Sequence, residues 1–293
     1  MIAENRCRGH ARQRIALPAD TATLPPMKTA GPHHAAPLPH PAPQGMGVAA
    51  LRRDAARDLA VVACAVLLLA LAFARAAGLG LDYALKVLLC LGLGVWLVWQ
   101  ALHVHPHARF GPANRVTLAR LGAASLLAAL VGEALPRPPL AAMPVAAWGL
   151  VVVATATALL DALDGALARR SGLASAFGAR FDMETDAAFT LVLCALVLQA
   201  GQAGPWVLAS GLMRYAFVAA ARAWPWLAGA LPPSRRRQTV CVVQITTLIV
   251  CLGPIVPPPL AAGLAGISLV LLTLSFAIDV RTLARQRPTP SET

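Results

Sequence analysis

From Leu59 to Val280 the chain alternates long apolar runs with short polar connections that carry arginine. Eight runs, at approximately 59–77, 83–103, 116–132, 144–163, 183–200, 205–226, 240–256 and 260–280, approach the roughly 20 residues a helix needs to cross about 30 Å of hydrocarbon. The pattern predicts an all-α integral membrane protein. Residues 1–50, rich in Pro, His and Ala (LPPMKTAGPHHAAPLPHPAPQG), show no periodicity and are expected to form a disordered tail. The tail lacks a basic segment followed by an apolar one, which excludes a secretory signal. Met27 and Met46 offer alternative starts within it.

Composition agrees. The chain is 58% hydrophobic and 13% charged, with a mean hydropathy of +0.65, which excludes an ordinary soluble globule. Its formal net charge of +12 does not point to nucleic acid, because the arginines are scattered between apolar segments without nucleic-acid-binding motifs. They fit the positive-inside rule instead. With the N-terminus inside, the cytoplasmic connections hold Arg52, Arg53 and Arg57, then Arg109 and Arg115, then Arg169, Arg170 and Arg180. Arg235, Arg236 and Arg237 follow, and finally Arg281, Arg285 and Arg287, against only Arg75 and Arg137 on the other side. The expectation is an inner (cytoplasmic) membrane protein with both termini in the cytoplasm. Its six cysteines form no CxxC pair and read as small buried hydrophobes.

Four of the nine aspartates, Asp161, Asp164, Asp182 and Asp186, fall in one window, DALDGALARRSGLASAFGARFDMETD, between apolar runs. Carboxylates are costly at that depth and mark function. Asp161, Asp164 and Ala168 share one helical face; Gly178, Asp182 and Asp186, at four-residue steps, share another. Arg170-Ser171-Gly172 breaks the helix between them, so the second pair folds back onto the first. Two carboxylate pairs facing inward make a cage of hard oxygen ligands for Mg²⁺ or Mn²⁺.

The spacing DG-x2-AR-x8-G-x3-D-x3-D, with a further Asp three residues upstream, resembles the signature of the CDP-alcohol phosphatidyltransferase family. The matching positions are Asp161, Asp164, Gly165, Ala168, Arg169, Gly178, Asp182 and Asp186. PANRVTLAR, from Pro112 to Arg120, is similar to the Pro-Asn…Thr…Arg opening of that family's first span, with Ala113 interrupting the Pro-Asn pair. The resemblance implies a six-helix membrane core, usually homodimeric, that displaces CMP from a CDP-linked lipid by a hydroxyl nucleophile. The domains expected are then a tail at 1–50, two additional transmembrane helices at 51–108, the six-helix transferase domain at 109–285 and a C-terminal tail at 286–293. The two additional helices have no function legible in sequence beyond packing around the core.

By that resemblance, Asp161, Asp164, Asp182 and Asp186 bind two divalent cations, and Asp186 is also the candidate general base for the acceptor hydroxyl. Gly165 and Ala168 keep side chains minimal where the CDP moiety approaches. Arg169 suits a phosphate or cytidine contact, and Gly178 lets the two Asp-bearing helices close together. Arg214 and Arg222, eight apart in RYAFVAAAR, resemble the RE-x6-R pattern of the phosphatidylglycerophosphate synthase branch, where such arginines hold an anionic acceptor. Tyr215 stands where that pattern has Glu. The run from Ser234 to Thr239 occupies the place of that branch's basic run and reads equally as acceptor-phosphate site or anchor. Arg120 divides evenly between site residue and interfacial anchor, and Glu184 faces away from the Asp182–Asp186 stripe. His103–His107 (HVHPH) reads as an ordinary span end, because Pro106 breaks any helix that would align the rings.

The expected function is metal-dependent transfer of a phosphatidyl group from CDP-diacylglycerol to a small alcohol, releasing CMP, in phospholipid synthesis. Glycerol 3-phosphate is the favoured acceptor; inositol phosphate, serine, choline or phosphatidylglycerol are alternatives in the same chemistry. From other classes, an ion-coupled transporter would spread acids along a pathway, whereas these cluster at one face. An inactive scaffold would not need the family positions intact.

Overall fold

The computed structural model describes the backbone of residues 44–133, 144–171, 175–232 and 234–286, and their side chains except at 44–47, 144–146 and 162–171. Eight α-helices account for nearly all of these residues, with no strand among them: α1 Gln44–Ala77, α2 Leu81–Ala101, α3 Pro112–Ala128, α4 Pro144–Ser171, α5 Ala176–Gln199, α6 Leu208–Ala223, α7 Arg235–Cys251 and α8 Pro258–Arg285. Each expected span overlaps one α-helix, with ends that differ by a few residues. The expected tail, apart from its last residues, lies outside the described residues, as do Met27 and Arg137.

The pattern of burial is that of a protein solvated by lipid. Large apolar side chains point outward, among them Leu68, Leu69, Leu89, Leu93, Val270 and Leu274. Small ones line the inside, including Ala55, Ala70, Ala74, Ala261 and Ala265, because small residues let helix backbones approach where lipid is as apolar as any side chain. Among the described residues, three helical stretches are long and apolar enough to cross a membrane: Val48–Ala77, Leu81–Val104 and Pro258–Arg285. Helix α6, at 16 residues, is shorter than its expected span of 205–226, whereas α3 and α7, at 17 residues each, keep the expected length but begin four and five residues earlier. The expected span 205–226 opens in a 3₁₀ turn at Pro205–Val207 and runs into another at Pro225–Ala228, so α6 keeps only its middle.

Helix α1 corrects the expected boundary of the tail. It begins at Gln44, inside the stretch expected to be disordered, and its 34 residues span about 51 Å at 1.5 Å per residue. That exceeds the hydrocarbon thickness, and the excess is amphipathic. Leu51, Ala55 and Leu59 are buried at four-residue spacing while Arg52, Arg53 and Arg57 are exposed. Asp54 and Asp58, also four apart, form a third stripe directed at α3. There Arg115 donates from Nε to Asp58 Oδ2 at 2.7 Å and from Nη2 to Asp54 Oδ1 at 3.2 Å. The second oxygen of Asp54 accepts from the Phe110 backbone N–H at 2.9 Å.

Helix α3 is the hub, packed against α1, α2, α4 and α5. Its outer face is held by close approach: a Cβ on Gly122 would lie 2.6 Å from Val66 Cγ2 of α1, and one on Gly94 of α2 would lie 2.8 Å from Leu121. Its far end is tied by Gln199 of α5, which donates to the Leu130 and Glu133 carbonyls and accepts from Gly132 N–H. Nearby, Tyr83 Oη donates to the Leu126 carbonyl at 3.0 Å, and Lys86 pairs with Glu133. The two additional helices are thus bound to α3 at both ends, which gives them a definite place in the architecture.

Candidate active site

Helix α3 starts where the chain turns sharply. Gly111 has φ +87°, a left-handed value that favours glycine, and Pro112 follows at the first helical position, where its missing N–H costs nothing. Asn114, Thr117 and Arg120 then recur at three-residue steps, and all three are buried. Arg120 is only 1% exposed, the largest fully buried side chain described.

Helix α5 starts at an N-cap, with Ser175 Oγ accepting from Gly178 N–H at 3.0 Å. Its rotation is set by an aromatic stripe. Phe177, Phe181 and Phe189 are buried, and Phe177 and Phe181 pack with each other at 6.2 Å and with Phe110 at 6.4 and 6.5 Å between ring centroids. With that stripe inward, the adjacent one, Gly178, Asp182 and Asp186, is turned to α3. A Cβ on Gly178 would meet Asn114 Oδ1 at 2.8 Å. Among the described residues, this close approach of Gly178 is to α3.

The carboxylates converge as their spacing requires. Asp161 of α4 and Asp182 and Asp186 of α5 each bring an oxygen to within 4.8 Å of the others. The Arg120 guanidinium sits among them. Its Nη1 lies 2.8 Å from Asp161 Oδ1 and 2.5 Å from Asp182 Oδ1, and its Nη2 donates to Asp186 Oδ1. Asp161 and Asp182 are 36% exposed and Asp186 20%, so the cluster opens to one side while the arginine closes it on the other. Three convergent carboxylates, hard oxygen donors held on rigid helices, fit a divalent cation such as Mg²⁺ or Mn²⁺. A positive group already seated among them shows that the cage is arranged for positive charge. Asp164, Gly165, Ala168 and Arg169 lie on the last turns of α4 by their backbone, but their side chains lie outside the described residues.

The remaining candidates divide. Arg214 does not stand alone: its Nη2 donates to Glu184 Oε1 of α5 at 2.5 Å, while its Nε is buried without a partner among the described residues. Glu184, expected to face away from the cluster, does so by turning to α6. Arg222, about 12 Å further along α6 at 1.5 Å per residue, is exposed. The basic run that opens α7 is mostly engaged in joining helices. Arg236 binds the Ser275 carbonyl at 2.7 Å, the Ser275 hydroxyl and Asp279 at 2.5 Å, and Arg237 pairs with Asp279 at 3.7 Å and with the Pro232 carbonyl. Only Arg235 of the three is exposed.

Sequence reasoning left Arg120 undecided and gave Asn114 and Thr117 no role beyond their place in the Pro-Asn…Thr…Arg resemblance. The Asn114-Thr117-Arg120 spacing was the available signal, since three polar residues on one face of a membrane helix need an inward partner. Cys241 of α7, read only as a small hydrophobe, lies within electrostatic reach of Asp161, Asp182, Asp186 and Arg120. His105 is buried rather than interfacial. It stacks 5.0 Å from Phe177, and its Nε2 donates to the Arg109 carbonyl at 3.0 Å. In this loop outside the spans, burial pushes its pKa below the ordinary value, and His107 nearby adds to the effect.

The family model for CDP-alcohol phosphatidyltransferase matches residues 112–278, from the first residue of α3 into the last turns of α8. The match includes the whole carboxylate cluster and Arg120, and leaves α1 and α2 outside it. No curated protein and no solved structure matches the chain. With more than half of its length matched, the chain belongs to the CDP-alcohol phosphatidyltransferase family.

Proposed function

We propose that this protein transfers a phosphatidyl group from CDP-diacylglycerol to the hydroxyl of a small alcohol, with release of CMP, and that it depends on divalent cations. The observation that carries this reading is the convergence of Asp161, Asp182 and Asp186 within the region matched by the family. Asp164, one turn from Asp161 on the same helix, is proposed as the fourth carboxylate. Bound cations would neutralise the pyrophosphate and stabilise the departing CMP.

The protein's own groups do the rest. The carboxylates, fixed on α4 and α5, would hold the cations, and with them the phosphate those cations neutralise, in a set place, and such positioning is worth several kcal/mol of barrier. Asp186 is the least exposed of the three and is proposed as the base that takes the acceptor's hydroxyl proton as its oxygen attacks phosphorus. Gly165, Ala168 and Arg169 on α4, with Gly178 on α5, are proposed to receive the CDP moiety.

Glycerol 3-phosphate remains the favoured acceptor. Arg214 lies on α6 next to α5, has a buried Nε available, and is positioned by Glu184. That pairing supplies from α5 the carboxylate that Tyr215 does not supply from α6. Arg222, exposed and two turns away, is proposed to attract the anion rather than to hold it. A homodimer with its active site facing the cytoplasm completes the proposal. The experiment is CMP release by purified protein with CDP-diacylglycerol and Mg²⁺, across glycerol 3-phosphate, inositol phosphate, serine, choline and phosphatidylglycerol. Release with glycerol 3-phosphate alone is the expected result. Release with a different acceptor would overturn the branch, and release unaffected by EDTA would overturn the metal dependence.

A further inference from the structure

We infer that Arg120 is a built-in competitor for divalent cations: its guanidinium and the cations use the same three carboxylates, so metal loading proceeds by exchange with this side chain. The inference rests on the metal reading of the cluster given above, and it concerns a residue on a different helix from the aspartates.

Three carboxylates with oxygens inside 4.8 Å repel one another strongly where water is scarce. Arg120 offsets that repulsion with a charge that cannot be lost, since a guanidinium keeps its proton across the physiological range. Its fork divides the work between helices. Nη1 spans Asp161 of α4 and Asp182 of α5, while Nη2 takes Asp186 one turn further along α5. The side chain therefore holds the two Asp-bearing helices face to face from a third helix.

The same contacts exclude a second occupant. Mg²⁺ requires its oxygens at about 2.0–2.1 Å, whereas Arg120 Nη1 already lies 2.8 and 2.5 Å from two of those oxygens. An ion bound to Asp161 and Asp182 would overlap Nη1 or face its charge at contact distance. One must leave for the other to enter. The base of α3 is fastened by Arg115 to Asp54 and Asp58, and by its packing on α1 and α2. The exchange is therefore assigned to rotation of the arginine side chain, not to movement of α3. Competition of this kind raises the apparent dissociation constant of the metal, which equals the intrinsic constant divided by the fraction of cages the arginine leaves open. It also releases a planar fork well matched to phosphate oxygens once cations are bound.

The test measures Mn²⁺ binding to the full-length protein in detergent, by electron paramagnetic resonance of the free ion and without any CDP-lipid. Thermal midpoints in EDTA and in Mn²⁺ are recorded alongside. Arg120→Met removes the competing charge, and the Mn²⁺ dissociation constant should fall tenfold or more. Its midpoint should drop in EDTA and rise further on adding Mn²⁺ than that of the unaltered protein. Arg120→Lys keeps one charge but loses the fork, so a smaller tightening is expected; it decides the question alone should the Met variant not fold. Unchanged or weaker Mn²⁺ binding in folded Arg120→Lys, with normal binding to the unaltered protein, overturns the exchange. Folded, unaltered protein that binds no Mn²⁺ overturns the metal reading itself, and this inference with it.

Discussion

Replacing Asp54 and Asp58 together by Asn tests whether the two helices outside the family match support the site. The substitutions keep shape and remove both charges that face Arg115. They weaken the 2.7 Å bond from Arg115 Nε to Asp58 and the 3.2 Å bond from Nη2 to Asp54, while Phe110 N–H keeps an acceptor in the new amide oxygen. Charge-assisted bonds contribute about 1.5–3 kcal/mol when desolvated, but exposed pairs only about 0.2–1 kcal/mol. Arg115 is 50% exposed, against 27% for Asp54 and 15% for Asp58, which argues for the top of the exposed range. About 1 kcal/mol for each bond gives roughly 2 kcal/mol for the pair, or about 4–8 °C in thermal midpoint for a chain of this size. The assay is thermal unfolding in detergent at about 0.15 and 1 M salt. Screening should lower the midpoint of the unaltered protein toward that of the variant, because the Debye length falls from about 8 to 3 Å. CMP release should fall as well, since α3 carries Arg120 into the cluster. A midpoint within about 1 °C of the unaltered protein at both salts, well inside the shift worked out above, would refute the argument that this latch fastens α1 to α3.

Further outcomes follow from the same geometry. Asp186→Asn should lower CMP release by about 10²–10⁴-fold, the usual contribution of a positioned base, while the protein stays folded because the amide oxygen still accepts from Arg120; turnover at the normal rate would remove Asp186 from that role. Stability should decline as pH falls below about 6.5, because His105 is held neutral in the fold and the unfolded chain binds the proton more readily. The decline is at most about 1.4 kcal/mol per pH unit for one proton. His105→Gln, which keeps a donor for the Arg109 carbonyl, should flatten that part of the unfolding profile, and an unchanged profile would assign the acid sensitivity elsewhere. Asp279→Ala should destabilise by about 3 kcal/mol, because Arg236, partly buried between α7 and α8, is left without the carboxylate that neutralises it; an unchanged thermal midpoint would show that the Ser275 contacts suffice.

Periodicity and charge made the helices legible because both are local. Eight apolar runs became eight helices, and Asp161, Asp182 and Asp186 met because four-residue steps put residues on one face whatever surrounds the helix. Boundaries were less legible. The start of α1 was hidden because LRRDAARDLA is polar by composition, and its helical character depends on Leu51, Ala55 and Leu59 meeting a buried surface that only the folded chain provides. The basic run that opens α7 was ambiguous for a related reason: an arginine that anchors and one that binds a ligand look the same until a partner such as Asp279 is placed beside it.

The sequence by itself determined the membrane character, the helix count and the family, since these depend on hydropathy period and on spacing within one stretch of chain. Only the tertiary structure decided what lies across from what. Arg120 became part of the carboxylate cluster, Gly178 a contact with Asn114, Glu184 the partner of Arg214, and Asp54 and Asp58 the fastening of α3. Each of these joins residues about 30 to 65 positions apart. Such contacts are selected by the packing of whole helices, in which one rotation of α3 or α5 chooses every partner at once.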